Sequence, residues 1–214
     1  MSPKRRTLVS LGIVLLTAVG SLLVYPNLPQ QIAIHFDSAG DPDNYVSKPL
    51  GTALLPALAL AVTGLFAVIP RLDPLGENFA DFERYYDLAA VVTVAILGYV
   101  QALVLGYNLG YEVGIQQALA PVLALVGITF GYVVENAKQN WFVGIRTPWT
   151  LSSEEVWERT NERSGVLFKI AGLVALLGIP FPEYFAYVAI APLALAALIP
   201  TVYSYVLYRR VEAA

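Results

Sequence analysis

The 214-residue chain is 57% apolar and only 14% charged, with a mean hydropathy of +0.62, whereas a soluble domain is about 45–50% apolar and roughly 25% charged. A net charge of −3 offers no basic surface for nucleic acid. Without cysteine there is no thiolate metal site, disulfide or cysteine nucleophile. The apolar residues fall in long blocks, so the natural solvent is a lipid bilayer.

Lys4, Arg5 and Arg6 precede an apolar run over residues 8–25. That pairing resembles a signal peptide, but Pro26-Asn27-Leu28-Pro29 follows rather than a small-x-small cleavage site, so a retained span is expected. Further apolar runs cover residues 51–69, 88–107, 117–134, 165–179 and 184–207. All but 165–179 come near the ~20 residues that cross a hydrocarbon core. That short run is expected to begin inside a preceding helix, with Lys169 snorkelling to the interface. The last run contains Pro192 and Pro200, which predict a kink or tilt. With the N-terminus inside, twelve of the 13 Lys and Arg residues fall in cytoplasmic segments and only Lys48 falls outside. The expectation is an all-α membrane protein with six transmembrane helices, both termini cytoplasmic, in one domain over 1–214.

The first outside loop, residues 26–50, is expected to be structured. Ile32, Ile34 and Phe36 alternate with Ala33, His35 and Asp37, which predicts a short extended segment with His35 and Asp37 on one face. Gly40-Asp41-Pro42-Asp43 is turn chemistry. Two readings stand. In one, His35, Asp37, Asp41 and Asp43 bind a ligand with Lys48 nearby, His35 and Asp37 holding a divalent metal ion, because one imidazole among carboxylates suits hard or borderline ions. In the other, the loop is a folded cap whose aspartates stabilise turns. The second loop, residues 70–87, reads as a solvated connector with Tyr85-Tyr86 as interfacial anchor. Gly106, Gly110 and Gly114 recur every fourth residue, compatible either with close helix approach or with a turn-rich loop.

Residues 135–164 form a signature loop and an amphipathic helix. The loop is Asn140-Trp141-Phe142-Val143-Gly144-Ile145-Arg146-Thr147-Pro148-Trp149-Thr150-Leu151. Pro148 has no amide proton and pushes Thr147 toward extended backbone. Ser152-Ser153-Glu154-Glu155 fits a capping box with Ser152 as N-cap. Trp157, Asn161, Ser164 and Phe168 then lie on one helical stripe, which predicts that Trp157 and Asn161 dock onto the Arg146 loop. The bland alternative makes Trp141, Phe142 and Trp149 interfacial belt residues and Arg146 a topogenic charge.

The loop from Asn140 to Leu151, followed by Glu155-Val156-Trp157 and Thr160-Asn161, resembles the signature of the SdpI family. The first loop, with Leu28-Pro29, His35-Phe36-Asp37, Gly40, Pro42-Asp43 and Ser47-Lys48, resembles the domain of unknown function that often precedes it. The resemblance implies a multi-pass protein of the cell membrane. It also implies immunity to a secreted toxic peptide and a receptor role toward a cytoplasmic transcriptional regulator. His-Glu-x-x-His, Gly-x-Ser-x-Gly and phosphate-loop motifs are absent, so no enzyme is expected. The expected function is an immunity or signal-receptor protein. Its first loop would sense an extracellular peptide or ion. Its cytoplasmic loop, carried by Asn140, Trp141, Gly144, Arg146, Thr147, Pro148, Trp157 and Asn161, would meet a regulator. The alternatives are a small transporter or channel, or a metal-dependent membrane hydrolase using the His–Asp cluster.

Overall fold

Helix α1 (Pro3–Val24) starts where local chemistry favours it. The Ser2 hydroxyl accepts from the Arg5 N–H at 3.4 Å, and Pro3 sits in the first turn, where an amide proton has no helical partner. The computed structural model describes residues 2–37 and 40–212. It is a helical membrane protein, with five helices long and apolar enough to cross a bilayer among the described residues. They fall into two compact units. One comprises the chain to Ala67 with Ala90–Leu119, the other Val68–Ala89 with Ala120 onward.

In the first unit α1 leads into a two-stranded antiparallel hairpin, β1 (Gln31–Phe36) and β2 (Pro42–Ser47). The extended segment expected at Ile32–Phe36 is β1. Its partner went unread because Pro42-Asp43-Asn44 is poor strand composition. The tip makes the pairing: Asp37 N–H donates to the Asp41 carbonyl at 2.9 Å, Asp37 Oδ1 accepts from Asp41 N–H at 3.0 Å, and Gly40 takes φ +90°, which disfavours a side chain. Helix α2 (Lys48–Leu72) follows β2 directly. Fully buried Ile32 lies over Gly51, where an added Cβ would come within 2.6 Å of the Ile32 Cβ. Leu28, Ile32, Val104 and Leu105 form the core between the hairpin and helix α3 (Glu83–Asn108).

Two amides on α3 complete this unit. Asn108 acts as a backbone mimic: its Oδ1 accepts from the Ala33 N–H at 2.9 Å and its Nδ2 donates to the Ala33 carbonyl at 3.0 Å. This satisfies both polar groups of a strand residue beside the register shift between Ala33 and His35. Gln101, 1% exposed, directs its Nε2 at Ser21 Oγ in α1 and at the carbonyls of Gly51 and Thr52 in α2. Inside an apolar bundle such polar contacts fix which faces meet. The Gly106-to-Gly114 repeat belongs to a turn, with Gly110 at φ +89°.

The second unit corrects the reading of residues 70–87. Phe79, Phe82 and Tyr86 are buried, and their rings lie 5.0–6.4 Å apart. They recur at i, i+3 and i+7 through the 3₁₀ stretch Gly76–Phe82 into α3, an apolar stripe hidden in sequence by the charges between them. Helix α4 (Ile115–Asn136) packs against α6 (Glu154–Ala175) along a seam of small residues. A Cβ at Gly127 would lie 2.8 Å from Gly172 Cα, and one at Gly131 would lie 2.7 Å from the Gly165 carbonyl oxygen. Small residues let helix backbones approach where lipid supplies no hydrophobic drive.

Between α4 and α6 lies a five-residue helix, α5 (Pro148–Ser152). It corrects the expected cap: Ser152 ends α5, and Ser153 caps α6 by accepting from the Val156 N–H at 3.3 Å. The capping box is Thr147 with Thr150, since α5 takes the first cap signal for itself. Helix α7 (Ala191–Glu212) returns antiparallel to α6 after a π-helical turn at Ala186–Ile190. α6 is not among the five spanning candidates, because its first half carries Glu154, Glu155, Glu158, Arg159, Glu162 and Arg163. Its second half nevertheless runs along α4, from Glu135 beside Gly165 to Ala120 beside Gly178, roughly 22 Å at helical rise.

Candidate functional site

The signature loop is built around buried amides. Asn140 is fully buried and uses its whole hydrogen-bonding capacity locally. Its Oδ1 accepts from the N–H groups of Phe142 (2.9 Å) and Val143 (2.7 Å), and its Nδ2 donates to the carbonyls of Lys138 (2.8 Å) and Val143 (3.0 Å). The turn that follows requires Gly144, at φ +116°, where a Cβ would meet Asn161 Oδ1 at 2.7 Å and the Trp157 ring at 3.2 Å. Asn161, 1% exposed, accepts from the Ile145 N–H at 2.7 Å and donates to the Trp157 carbonyl at 3.1 Å. The Trp157 indole N–H donates to the Ala137 carbonyl at 2.8 Å.

The exit of the loop is held by hydroxyls. Thr150 Oγ1 accepts from the Thr147 N–H at 2.8 Å and lies 2.9 Å from the Ile145 carbonyl. Thr147 Oγ1 pairs with Ser204 Oγ of α7 at 3.1 Å, and Trp149 stands against Tyr205 with ring centroids 5.0 Å apart. Pro148 opens α5, where its fixed φ suits the first turn. The expected docking of Trp157 and Asn161 onto the loop is therefore present, but its targets are Gly144 and Ile145. The Arg146 guanidinium is exposed and donates to the Trp141 carbonyl.

Reasoning from the sequence missed three contributors. Asp73, 7% exposed, accepts from the Trp141 N–H at 2.8 Å through Oδ2 and from the Leu75 N–H at 2.7 Å through Oδ1. Gln139 donates to the carbonyls of Thr150 and Leu151, both at 2.9 Å, and Asn78 donates to the Gln139 carbonyl at 2.7 Å. Asp73-Pro74 reads as an ordinary turn, and nothing local marks a partner 68 residues away. At the rim Lys138 pairs with Glu158 at 2.9 Å; that hydrogen bond, and then the charge of Glu158, hold the ammonium above its ordinary pKa. Lys169 meets Glu135 at 2.6 Å and lies 4.9 Å over the Tyr132 ring, so its charge is matched rather than merely snorkelling.

The arrangement makes a loop with a hydrogen-bonded interior and an exposed aromatic and cationic exterior. Trp141 and Phe142 are 52% and 39% exposed, and Arg146 lies beside them.

The outer-loop residues separate. His35 Nδ1 lies 2.5 Å from Asp43 Oδ1 across the hairpin, with both side chains exposed. Asp37 and Asp41 bond each other at the tip. Lys48 is buried at the hairpin base, its Nζ 3.5 Å from the Pro26 carbonyl and 4.6 Å over the Tyr25 ring. Among the described residues no group of three or more His, Asp or Glu side chains is placed to hold a metal ion.

The model of the SdpI/YfhL protein family matches residues 136–204, spanning this loop, α5, α6 and the first part of α7. Over that stretch, about a third of its length, the chain is similar to the SdpI family. A second match, to Domain of unknown function (DUF1648), covers residues 12–60, the stretch that carries the hairpin. Each match lies within one of the two compact units. Over nearly its whole length the chain is similar to the Immunity protein SdpI of Bacillus subtilis (strain 168), with 29% identity over 209 residues, 97% of this chain and 98% of that protein. It is also similar to the Uncharacterized membrane protein YbgB of the same strain, at 45% over 47 residues, 22% of this chain and 52% of that protein. No solved structure matches. Similarity to SdpI and the apolar helices make this a multi-pass protein of the cell membrane.

Proposed function

We propose that this protein is a membrane immunity protein of the SdpI type that also acts as a signal receptor. The hairpin, with His35, Asp37, Asp41 and Asp43 along its outer edge and Lys48 fixing its base, receives an extracellular peptide. The Asn140-to-Leu151 loop faces the cytoplasm and offers Trp141, Phe142 and Arg146 to a regulator protein. Full-length similarity to a named immunity protein supports the first part, and the distribution of lysine and arginine supports the sidedness. One observation carries the second part. Buried Asn140, Asn161 and Trp157 hold the loop's backbone, while two aromatic rings and a guanidinium, the side-chain types that dominate binding energy at interfaces, stand on its exterior.

The test uses a Bacillus subtilis strain lacking its own SdpI, challenged with the toxic peptide that SdpI counters. Expression of this protein is expected to restore growth, and sensitivity despite confirmed membrane expression overturns the immunity reading. Arg146→Lys and Trp141→Ala are expected to leave the melting transition in place, because lysine still reaches the Trp141 carbonyl and Trp141 is largely exposed. Both are expected to lose capture of a cytoplasmic regulator, since an ammonium does not reproduce a planar guanidinium fork. Wild-type capture by both variants would make the loop exterior an interfacial anchor instead.

A further inference from the structure

Two adjoining cavities run along the groove between α6 and α7. The first, about 310 Å³, lies at the charged ends of the helices and is lined by Arg159, Arg163 and Arg210 with Glu155 and Tyr203. Three arginines against one glutamate leave it two charges positive. Arg159 bonds Glu155 at 2.8 Å, which spends that carboxylate. Arg163 stacks over the Tyr203 ring with its guanidinium carbon 4.4 Å from the centroid, leaving its N–H edges free to bind. The second cavity, about 350 Å³, is lined by Val166, Leu167, Ile199 and Pro200, with Arg163 and Tyr203 again, and its walls expose only apolar atoms. The two cavities thus share Arg163 and Tyr203, and the apolar one lies farther along both helices, toward their middles. From Arg210 to Pro200 is about 15 Å at helical rise.

We infer that this groove is a binding site for an anionic phospholipid, its headgroup phosphate held by Arg159, Arg163 and Arg210 and an acyl chain lying against Val166, Leu167, Ile199 and Pro200. Three features select a lipid over a soluble anion or an acidic peptide. The cationic mouth continues directly into an apolar slot, which matches a molecule with a charged head and a hydrocarbon tail. The slot follows the helix axes, the direction of an acyl chain in a bilayer. The mouth sits where the charged first half of α6 meets the basic last turn of α7, a depth that suits the headgroup layer, and basic clefts between membrane helices recognise such headgroups.

The experiment uses the full-length protein in a non-ionic detergent. Lipid retention is measured by native mass spectrometry and the melting midpoint by thermal unfolding. The probes are dioleoyl phosphatidylglycerol, dioleoyl phosphatidylcholine and inorganic phosphate. Phosphatidylglycerol is expected to be retained and to raise the melting midpoint, while the other two do neither. Arg159→Gln and Arg210→Gln, both on exposed positions, are expected to weaken retention about fivefold each without shifting the lipid-free midpoint. Ile199→Trp, which fills the slot and leaves every arginine in place, is expected to weaken retention as well. Equal retention of the two lipids overturns the site, as does undiminished phosphatidylglycerol binding by the Arg159→Gln/Arg210→Gln double variant. Stabilisation by phosphate alone to the same extent reduces it to an adventitious ion only.

Discussion

The contact between Gly144 and Asn161 supports a quantitative prediction. Replacing Gly144 by alanine forces a side chain onto φ +116°, at about 1–3 kcal/mol for a strained backbone residue. It also drives a methyl group to 2.7 Å from Asn161 Oδ1 and 3.2 Å from the Trp157 ring, an overpacking that costs about 1–3 kcal/mol more. Replacing Asn161 by alanine leaves the buried Ile145 N–H without its acceptor, at about 1–3 kcal/mol. The two losses are not independent, because truncating Asn161 removes the atom that the Gly144→Ala methyl group strikes first. The double variant is therefore expected to fall short of the sum by about 1–2 kcal/mol. Reversible unfolding in mixed detergent micelles, followed by tryptophan fluorescence, measures all four proteins, and buried Trp157 supplies a local reporter. A Gly144→Ala protein within about 0.5 kcal/mol of wild type would refute the account of the turn. Additivity within about 0.5 kcal/mol would show that the strain lies in the backbone alone.

Other consequences can be read from separate parts of the molecule. Asn108→Ala removes both bonds to Ala33, so limited proteolysis is expected to cut the hairpin near Asp41 faster while the signature loop keeps its wild-type cleavage rate; an unchanged hairpin rate would mean that its apolar core suffices. Single cysteines replacing Asn44, Glu162 and Glu183 test the six-span arrangement: an impermeant reagent on intact cells is expected to label Asn44→Cys and Glu183→Cys but not Glu162→Cys, and labelling of positions 162 and 183 from the same side would sink the crossing by α6. Lys138→Met is expected to cost under about 0.5 kcal/mol, because the pair with Glu158 is exposed. Since Lys138 is raised on folding, that contribution is complete below its unfolded pKa and is lost only as pH rises through the folded value. Melting midpoints from about pH 6 to 9 should therefore show a constant difference, and a slope across that range would point to another group.

Much of the candidate site was legible before any coordinates. Pro148 and Gly144 punctuate the loop, and the spacing of Trp157, Asn161, Ser164 and Phe168 puts all four on a helix face that is buried throughout. Local signals of this kind survive because helix periodicity and turn chemistry depend on neighbours only a few residues apart. The capping assignment slipped by one residue, because α5 takes Ser152 as its last residue and leaves the cap of α6 to Ser153. The aromatic stripe of Phe79, Phe82 and Tyr86 was obscured by the mixed charges around it, which read as solvation although the rings turn inward.

The chain's own composition and periodicity determined that it lives in lipid, where its long helices lie and where it must turn. An apolar run of that length has no other solvent, and a proline or a positive-φ glycine constrains the backbone wherever it occurs. Tertiary structure alone decided who meets whom. Asp73 receives the amide of Trp141, Asn108 completes Ala33, and α4 settles onto α6 through Gly127 and Gly131. Each of these pairings joins segments distant in sequence, and a hydrogen-bond donor or a missing Cβ carries no local mark of the partner it will find. Packing selects that partner, because a buried polar group left alone or a void left unfilled costs more than either local preference can return.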